Sequence, residues 1–556
     1  MTETSTIPAV RGQSVGFELD VEKGVFHLIS TRTGAPIATN LECGFQTTSG
    51  MIRSTTGRAL WRPLSEDEGQ GLDIQFGAED DIRLGLQVRV HETTGGITLT
   101  LTYNNQNQTS TLREGIVLTT GDKGALDFCP DYSKLRFFRN GWQSWDSAGA
   151  VQAGARSTEQ HDGTTLESSL VAGLTRGGEN EGLILGFGDA ARQFSHIRVD
   201  QKLERAGLSA TVDVNSVELP PGETFASETL WVGFGTMPAL RLLDYTRSKP
   251  QGRVASRLPV IWDFWYPGFE ETSEKEILAA LDTIHVRMPD VDTIMVADGY
   301  QLIHNSGPGI GDWLESNPRF PHGLAWLAAQ IRKRGFRPGI WTAPFLIGES
   351  SQFYKYYASA VVRSRESDQP HWREMWRGDR AYYLDATHPD GRHLLRDIFE
   401  TLCFRDGFEA FQVDFAYAGG ADGFRFDRGA TGAQALDAGL ETIRKTIGEN
   451  RYLLLSGAPV GCGTNYADAV RSTPDAGPGW HGRCGAFASI RNILTRSFHG
   501  DSFPAMAAAP ILVGGDSLSD DEFRSLVTAV GLSGGPVSFS GELASISPIR
   551  QSLVTQ

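Results

Sequence analysis

The rhythm of apolar residues changes once, at the basic stretch Arg247-Ser248-Lys249-Pro250, and that change divides the chain into two kinds of fold. Before it, apolar and polar residues alternate. Ile97, Leu99, Leu101 and Tyr103 are interleaved with Thr98, Thr100 and Thr102, the period-two pattern of a half-buried strand. Further strand-like pieces at 183–187, 210–214 and 229–233 are separated by turns such as Pro220-Pro221-Gly222, with hardly any helical spacing between them. A large β-sandwich is therefore predicted over residues 1–250.

Beyond Pro250 short apolar runs alternate with amphipathic helices, which predicts a (β/α)8 TIM barrel over residues 251–556. The eight runs are Leu258 to Trp262, Thr293 to Val296, Pro338 to Trp341, Glu409 to Val413, Tyr452 to Leu455, Ala469 to Ser472, Ala509 to Val513 and Pro536 to Phe539. Ser273 followed by Glu276 reads as a capping box opening one helix. Residues 324–334 and 394–404 carry helical apolar spacing.

In a barrel of this kind the chemistry sits where the C-terminal ends of the strands converge. On this count Asp298 follows the second run, Trp341 ends the third, Asp414 follows the fourth, and Arg471 and Asp475 lie at and just beyond the end of the sixth. Two aspartates at one mouth suit a retaining glycosidase. One attacks the sugar carbon while ionised, and the other, protonated and about 5 Å away, releases the leaving oxygen.

Composition narrows the partners. Lys and Arg number 51 against 67 Asp and Glu, giving −16, and the acidic residues are scattered along the chain. Nucleic acid and anionic membrane both select clustered cations, so a neutral oligosaccharide or glycoside is the better-matched partner. The five cysteines, Cys43, Cys129, Cys403, Cys462 and Cys484, lack metal-type spacing and are odd in number, arguing against a zinc site or a disulfide framework. No metal or cofactor is called for. The first residues carry no basic and apolar signal, and nowhere do 18 apolar residues run together, so a soluble, cytoplasmic chain is expected.

Several segments then resemble one family in order. Val296-Ala297-Asp298-Gly299-Tyr300-Gln301, with Gly311-Asp312-Trp313 downstream, is similar to the second-strand signature of glycoside hydrolase family 36. These are α-galactosidases of the melibiase type, with raffinose synthases and α-N-acetylgalactosaminidases as relatives. Arg139 to Trp145, Gly339 to Phe345, Leu384 to Pro389 and the stretch from Ser456 to Asp475 match too, so the resemblance spans roughly residues 135 to 540.

The resemblance implies an N-terminal β-supersandwich, a central barrel and a small C-terminal β domain, the last missing or truncated in this chain. It implies an exo-acting α-glycosidase working by double displacement, with Asp414 as nucleophile and Asp475 as general acid/base. Arg471 aligns with a residue that holds the sugar 2-hydroxyl. Trp145, Trp265 and Trp341 are candidates for stacking on the sugar, and Asp298, Asp312 and Cys462 for the pocket wall. Relatives are often homo-oligomers, and the Trp145 loop could then serve a neighbouring subunit.

Two positions depart from the family. Most relatives have Asp-Asp-Gly where this chain has Ala297-Asp298-Gly299, and a lysine where it has Gln412. Both lost groups bind galactose hydroxyls in the family, so an altered glycone is expected. A transglycosylase of the raffinose-synthase type and a non-catalytic carbohydrate binder are the alternatives. The bland reading of Asp475 is a helix N-cap after Pro474, and that of His388 a structural histidine.

Overall fold

The structure is a computed structural model that describes residues 7–555 except 79–80, 107–108, 155–164, 203–204, 256, 266–271, 305–306 and 376–378. The chain forms two compact units: residues 1–142 with 147–250, and residues 143–146 with 251–556.

The first unit is built from two antiparallel sheets. One is nine-stranded and runs from Ala9–Arg11 to Thr165–Ser169, with Pro36–Thr47, Ser110–Thr119 and Arg205–Leu219 at its centre. The other is ten-stranded and centres on Glu181–Phe187, Leu230–Thr236 and Ile97–Asn104. In Ile97–Asn104 buried and half-buried residues alternate without a break, as the sequence pattern requires. The buried face packs on the opposite sheet: Phe45 meets Tyr103 edge to face at 5.8 Å. One element departs from the period-two reading of this region. Pro238–Arg247 is an α-helix, opened by a proline at its first turn, whose missing N–H costs a helix nothing there.

The second unit carries a parallel sheet of nine strands. Its order is Ala505–Ala507, Ala469–Arg471, Tyr452–Leu455, Ala410–Val413, Arg337–Thr342, Thr293–Val296, Val260–Asp263, Val537–Ser540, Ile511–Leu512. The two end strands are neighbours in the chain, separated only by residues 508–510. Laid flat, nine strands would put these ends about 38 Å apart, yet four residue steps of chain reach no further than about 14 Å. The sheet is therefore curled into a partial barrel. Its interior agrees: Ile261, Met295, Ala410, Tyr452, Leu454, Ala469 and Ala507, from six strands, form one buried cluster.

The divided strand corrects the sequence reading, which placed a single seventh strand at 509–513. Ala505–Ala507 pairs with Ala469–Arg471, and Ile511–Leu512 with Val537–Ser540. Amphipathic helices follow the strands, among them Glu274–Arg287, whose Ser273 and Glu276 make the predicted capping box. Between the Arg337–Thr342 strand and the Pro389–Glu400 helix lies an additional antiparallel sheet of Leu346–Gly348, Trp372–Glu374 and Arg380–Tyr383. His388 caps the Pro389–Glu400 helix by accepting from Asp390 N–H. Among the described residues no helix is long and apolar enough to cross a membrane.

Candidate active site

Because all pairings in the curled sheet are parallel, its strands share one C-terminal rim, and residues at those ends line a single cavity. The cavity encloses about 310 Å³ of empty space, including the part open to solvent, and is lined by Asp263, Trp265, Ala297, Trp341, Gln412, Asp414, Arg471, Asp475 and Pro510.

Asp414 is the first residue past the Ala410–Val413 strand, and its N–H still donates to Thr342 O of the neighbouring strand at 2.8 Å. Phe415 then turns the chain with φ 49°, a left-handed conformation uncommon for a residue with a bulky side chain. That turn points Phe415 N–H back at Asp414 Oδ1 at 2.7 Å. Trp341, paired with Gln412 in the ladder, donates its Nε1–H to Asp414 Oδ2 at 3.0 Å. Both oxygens of Asp414 are thus held by N–H donors, and the carboxylate has one orientation. The Trp341 ring is itself fixed by an edge contact with Trp313.

Arg471 ends the Ala469–Arg471 strand, and its guanidinium donates to Asp475 Oδ1 at 3.0 Å. The intervening loop is anchored to the divided strand: Ser472 Oγ donates to Ala507 O, and Ala509 N–H to Thr473 Oγ1. Asp475 caps no helix, because the next one, Ala486–Arg496, starts after Gly485. About a third of the Asp475 side chain is exposed at the cavity mouth. Enough protein surrounds it that desolvation raises its pKa; Arg471 opposes the rise and the nearby Asp414 charge adds to it. Two carboxyls in different surroundings therefore share the cavity, Asp414 held by two N–H donors and Asp475 by a guanidinium.

A third carboxyl was not foreseen. Asp263 ends the Val260–Asp263 strand and is 7 % exposed. Burial pushes its pKa up to about 6, against the Trp265 N–H and Arg471, and with help from Asp475 and Asp414. The signal was present, since Asp263 follows an apolar run just as Asp414 does. Pro510, in the break of the divided strand, was missed for want of that break.

Of the other expected site residues, Trp265, Trp341, Gln412 and Arg471 reach the cavity, and Asp298, Asp312, Trp145 and Cys462 do not line it. Asp298 is buried and accepts from Gln301 Nε2 at 2.8 Å. Asp312 accepts from Gln352 N–H at the start of a short helix. Trp145 lies under the guanidinium of Arg483, 5.2 Å from its ring centre. Cys462 lines a second, mostly apolar cavity with His499, Arg496 and Ser472, and Arg471 borders both cavities.

Comparison with known proteins gives a consistent picture. The Melibiase family model matches residues 239–408, ending six residues before Asp414. α-Galactosidase C of Emericella nidulans is 26% identical over 192 residues, covering 30% of this chain and 26% of that protein. The bifunctional α-galactosidase/sucrose kinase AgaSK of Mediterraneibacter gnavus is 21% identical over 349 residues, covering 60% of this chain and 37% of that protein. The chain thus spans less than half the length of these curated relatives. Among solved structures, the family 36 α-galactosidase AgaA of Geobacillus stearothermophilus, in complex with raffinose, shares the fold with a TM-score of 0.67 at 12% identity, covering 99% of this chain and 85% of that one. The α-galactosidase TtGalA of Thermus thermophilus, in complex with stachyose, has a TM-score of 0.62 at 24% identity and covers 83% of this chain and 97% of that one.

Proposed function

We propose that this family 36 α-galactosidase-like chain is a retaining, exo-acting α-glycosidase that removes a terminal sugar from oligosaccharides or glycosides. The observation that carries the reading is the unequal pair in one cavity: Asp414, gripped through both oxygens by N–H donors, and Asp475, desolvated toward its protonated form. In the first step an Asp414 oxygen attacks the anomeric carbon, the bond to the aglycone oxygen breaks, and Asp475 gives that oxygen its proton. In the second, Asp475, now a carboxylate, takes a proton from water, which attacks the same carbon and breaks the ester to Asp414. Two inversions leave the configuration unchanged.

The roles suit the supports. A nucleophile needs a fixed trajectory, which Trp341 and Phe415 provide. An acid that becomes a base needs a pKa between the two tasks, and Arg471 keeps desolvation from carrying Asp475 too high. Trp265 and Trp341 offer apolar faces to sugar C–H groups. The raffinose and stachyose bound by the structural relatives suggest an α-galactosidic oligosaccharide as the substrate class. Ala297 and Gln412 on the cavity wall, where the family resemblance implies an aspartate and a lysine, support an altered glycone grip.

A panel of 4-nitrophenyl glycosides tests this: α-galactoside, α-glucoside, β-L-arabinopyranoside and α-N-acetylgalactosaminide, with Asp414→Ala as control. The reading predicts nitrophenol release from one of them that vanishes in the variant. Release that persists in Asp414→Ala would contradict it.

A further inference from the structure

With Asp414 and Asp475 committed to bond making and breaking, and Arg471 bonded to Asp475, few polar groups on the cavity wall remain to choose the sugar. Gln412 contributes a neutral amide. Asp263 contributes a carboxyl group, and its surroundings leave that group half used. Oδ1 accepts from Trp265 N–H at 2.9 Å, and Ser540 Oγ donates to its backbone oxygen at 2.5 Å. Among the described residues, Oδ2 has no hydrogen-bond partner. The residue is largely buried and lines the cavity, so an unpartnered carboxylate oxygen there is poorly solvated and ready for a donor that a ligand supplies.

Position sharpens the point. In the ladder Asp263 stands opposite Met295, so Ala297 lies two residues further along the adjacent strand, at the same rim. Ala297 has no polar side-chain atom. The wall formed by these two strand ends therefore has one side-chain acceptor, and Asp263 supplies it.

We propose that Asp263 is a glycone-binding residue whose Oδ2 accepts a hydrogen bond from a hydroxyl of the terminal sugar, and that it thereby helps determine which sugar is cleaved. This rests on the glycosidase reading of the cavity. It assigns to the first strand of the curled sheet a specificity role that the motif comparison had left to the second.

The test uses the full chain and the aryl glycoside that it cleaves best, together with the monodeoxy analogues of that glycoside at each ring position. For the wild type, one deoxy position should lower kcat/KM about 100-fold, the usual effect of removing a partner from a charged acceptor. Asp263→Ala should lose a similar factor on the parent glycoside, chiefly in KM, and show no further loss at that one position while penalties elsewhere persist. A structural role would weaken all the analogues alike. Loss spread evenly over the positions, or an unchanged parent, overturns the proposal. Asp263→Asn, which keeps shape and one acceptor, carries the same comparison if the alanine variant is unstable. Titration of the free monosaccharide into Asp414→Ala, with and without Asp263→Asn, reads the same contact without turnover. If the unsubstituted chain hydrolyses none of the panel, binding that weakens on adding Asp263→Asn would sink the catalytic reading and keep this one; equal binding would sink the assignment of Asp263.

Discussion

At the scale of single residues the cavity is an arrangement of three carboxyls and one guanidinium in which position decides the role. Asp475→Asn should lower kcat by about 10² to 10⁴ for substrates with poor leaving groups, the usual worth of a general acid, and by far less for nitrophenyl glycosides, which depart without a proton. Comparing both substrate types by steady-state kinetics checks it. Asp263 carries a second consequence. Its folded pKa of about 6 lies above the ordinary 3.8, with Arg471, Asp475 and Asp414 as the charges that face it. The folded chain therefore binds its proton more tightly than the unfolded chain, so the stability this group adds is full below 3.8 and is lost as pH rises through 6. At pH 7.5 the ionised group is a burden borne for binding. Asp263→Asn should raise the thermal midpoint at pH 7.5, leave it nearly unchanged at pH 4, and weaken catalysis. A midpoint that falls at pH 7.5 would count against that balance.

At the scale of elements, legibility tracked the strength of local pattern. Thr293–Val296 and Tyr452–Leu455 are continuous apolar runs buried throughout, and their bounds agree with the sequence reading. Asp414 and Arg471 were found because each adjoins such a run. The divided strand was not legible, because Ala505–Ala507 is only three residues, one methionine between two alanines, after Pro504. Its existence depends on Ala469–Arg471, far away in sequence, offering an open edge. The Pro238–Arg247 helix was lost for the converse reason, a short helical pattern at the end of a long β region. Asp298 was placed by strand position and motif and Cys462 by motif, and neither signal says which way a buried side chain is turned.

Two glycines test how the sheet closes. A Cβ on Gly535 would lie 1.8 Å from Met506 O, where the approach to the Val537–Ser540 strand passes the divided strand. On Gly531, exposed near the end of the Asp520–Leu532 helix, a Cβ would meet nothing within 4 Å. Gly531→Ala should stabilise the chain by about 0.5 to 1 kcal/mol through helix propensity. Gly535→Ala should destabilise it by about 1 to 3 kcal/mol, as overpacking against backbone does. Denaturant melts of the two variants beside the parent measure both, and a harmless Gly535→Ala would mean the strands are not so closely apposed.

At the scale of the whole molecule, one buried histidine in each unit should respond to pH in opposite senses. In the first unit His196 is buried, which alone would lower its pKa, but bonds to Asp213 and Glu167 outweigh that and raise it to about 9. Its stabilisation is full below 6.5 and is lost as pH rises through 9. In the second unit burial, with Arg496 beside it, holds His499 down to about 3, and neither ring nitrogen has a hydrogen-bond partner among the described residues. That contribution is full above 6.5 and declines as pH falls toward 3. Hydrogen exchange followed by mass spectrometry should show protection lost first around Thr165–Ser169 and Ser195–Lys202 at pH 9.5, and first around Ala486–Arg496 at pH 4. His499→Phe should flatten the acid limb alone.

In the proposed double displacement Asp414 supplies the oxygen that bonds to the anomeric carbon in the covalent intermediate. A 5-fluoro-α-glycosyl fluoride of the sugar released in the panel slows the oxocarbenium-like second step while its fluoride departs readily, so the glycosyl-enzyme accumulates. Peptide mapping by mass spectrometry should find one glycosyl adduct, on Asp414. A modification on Asp475 or Asp263, or steady turnover of the fluoride with no adduct at all, would contradict it.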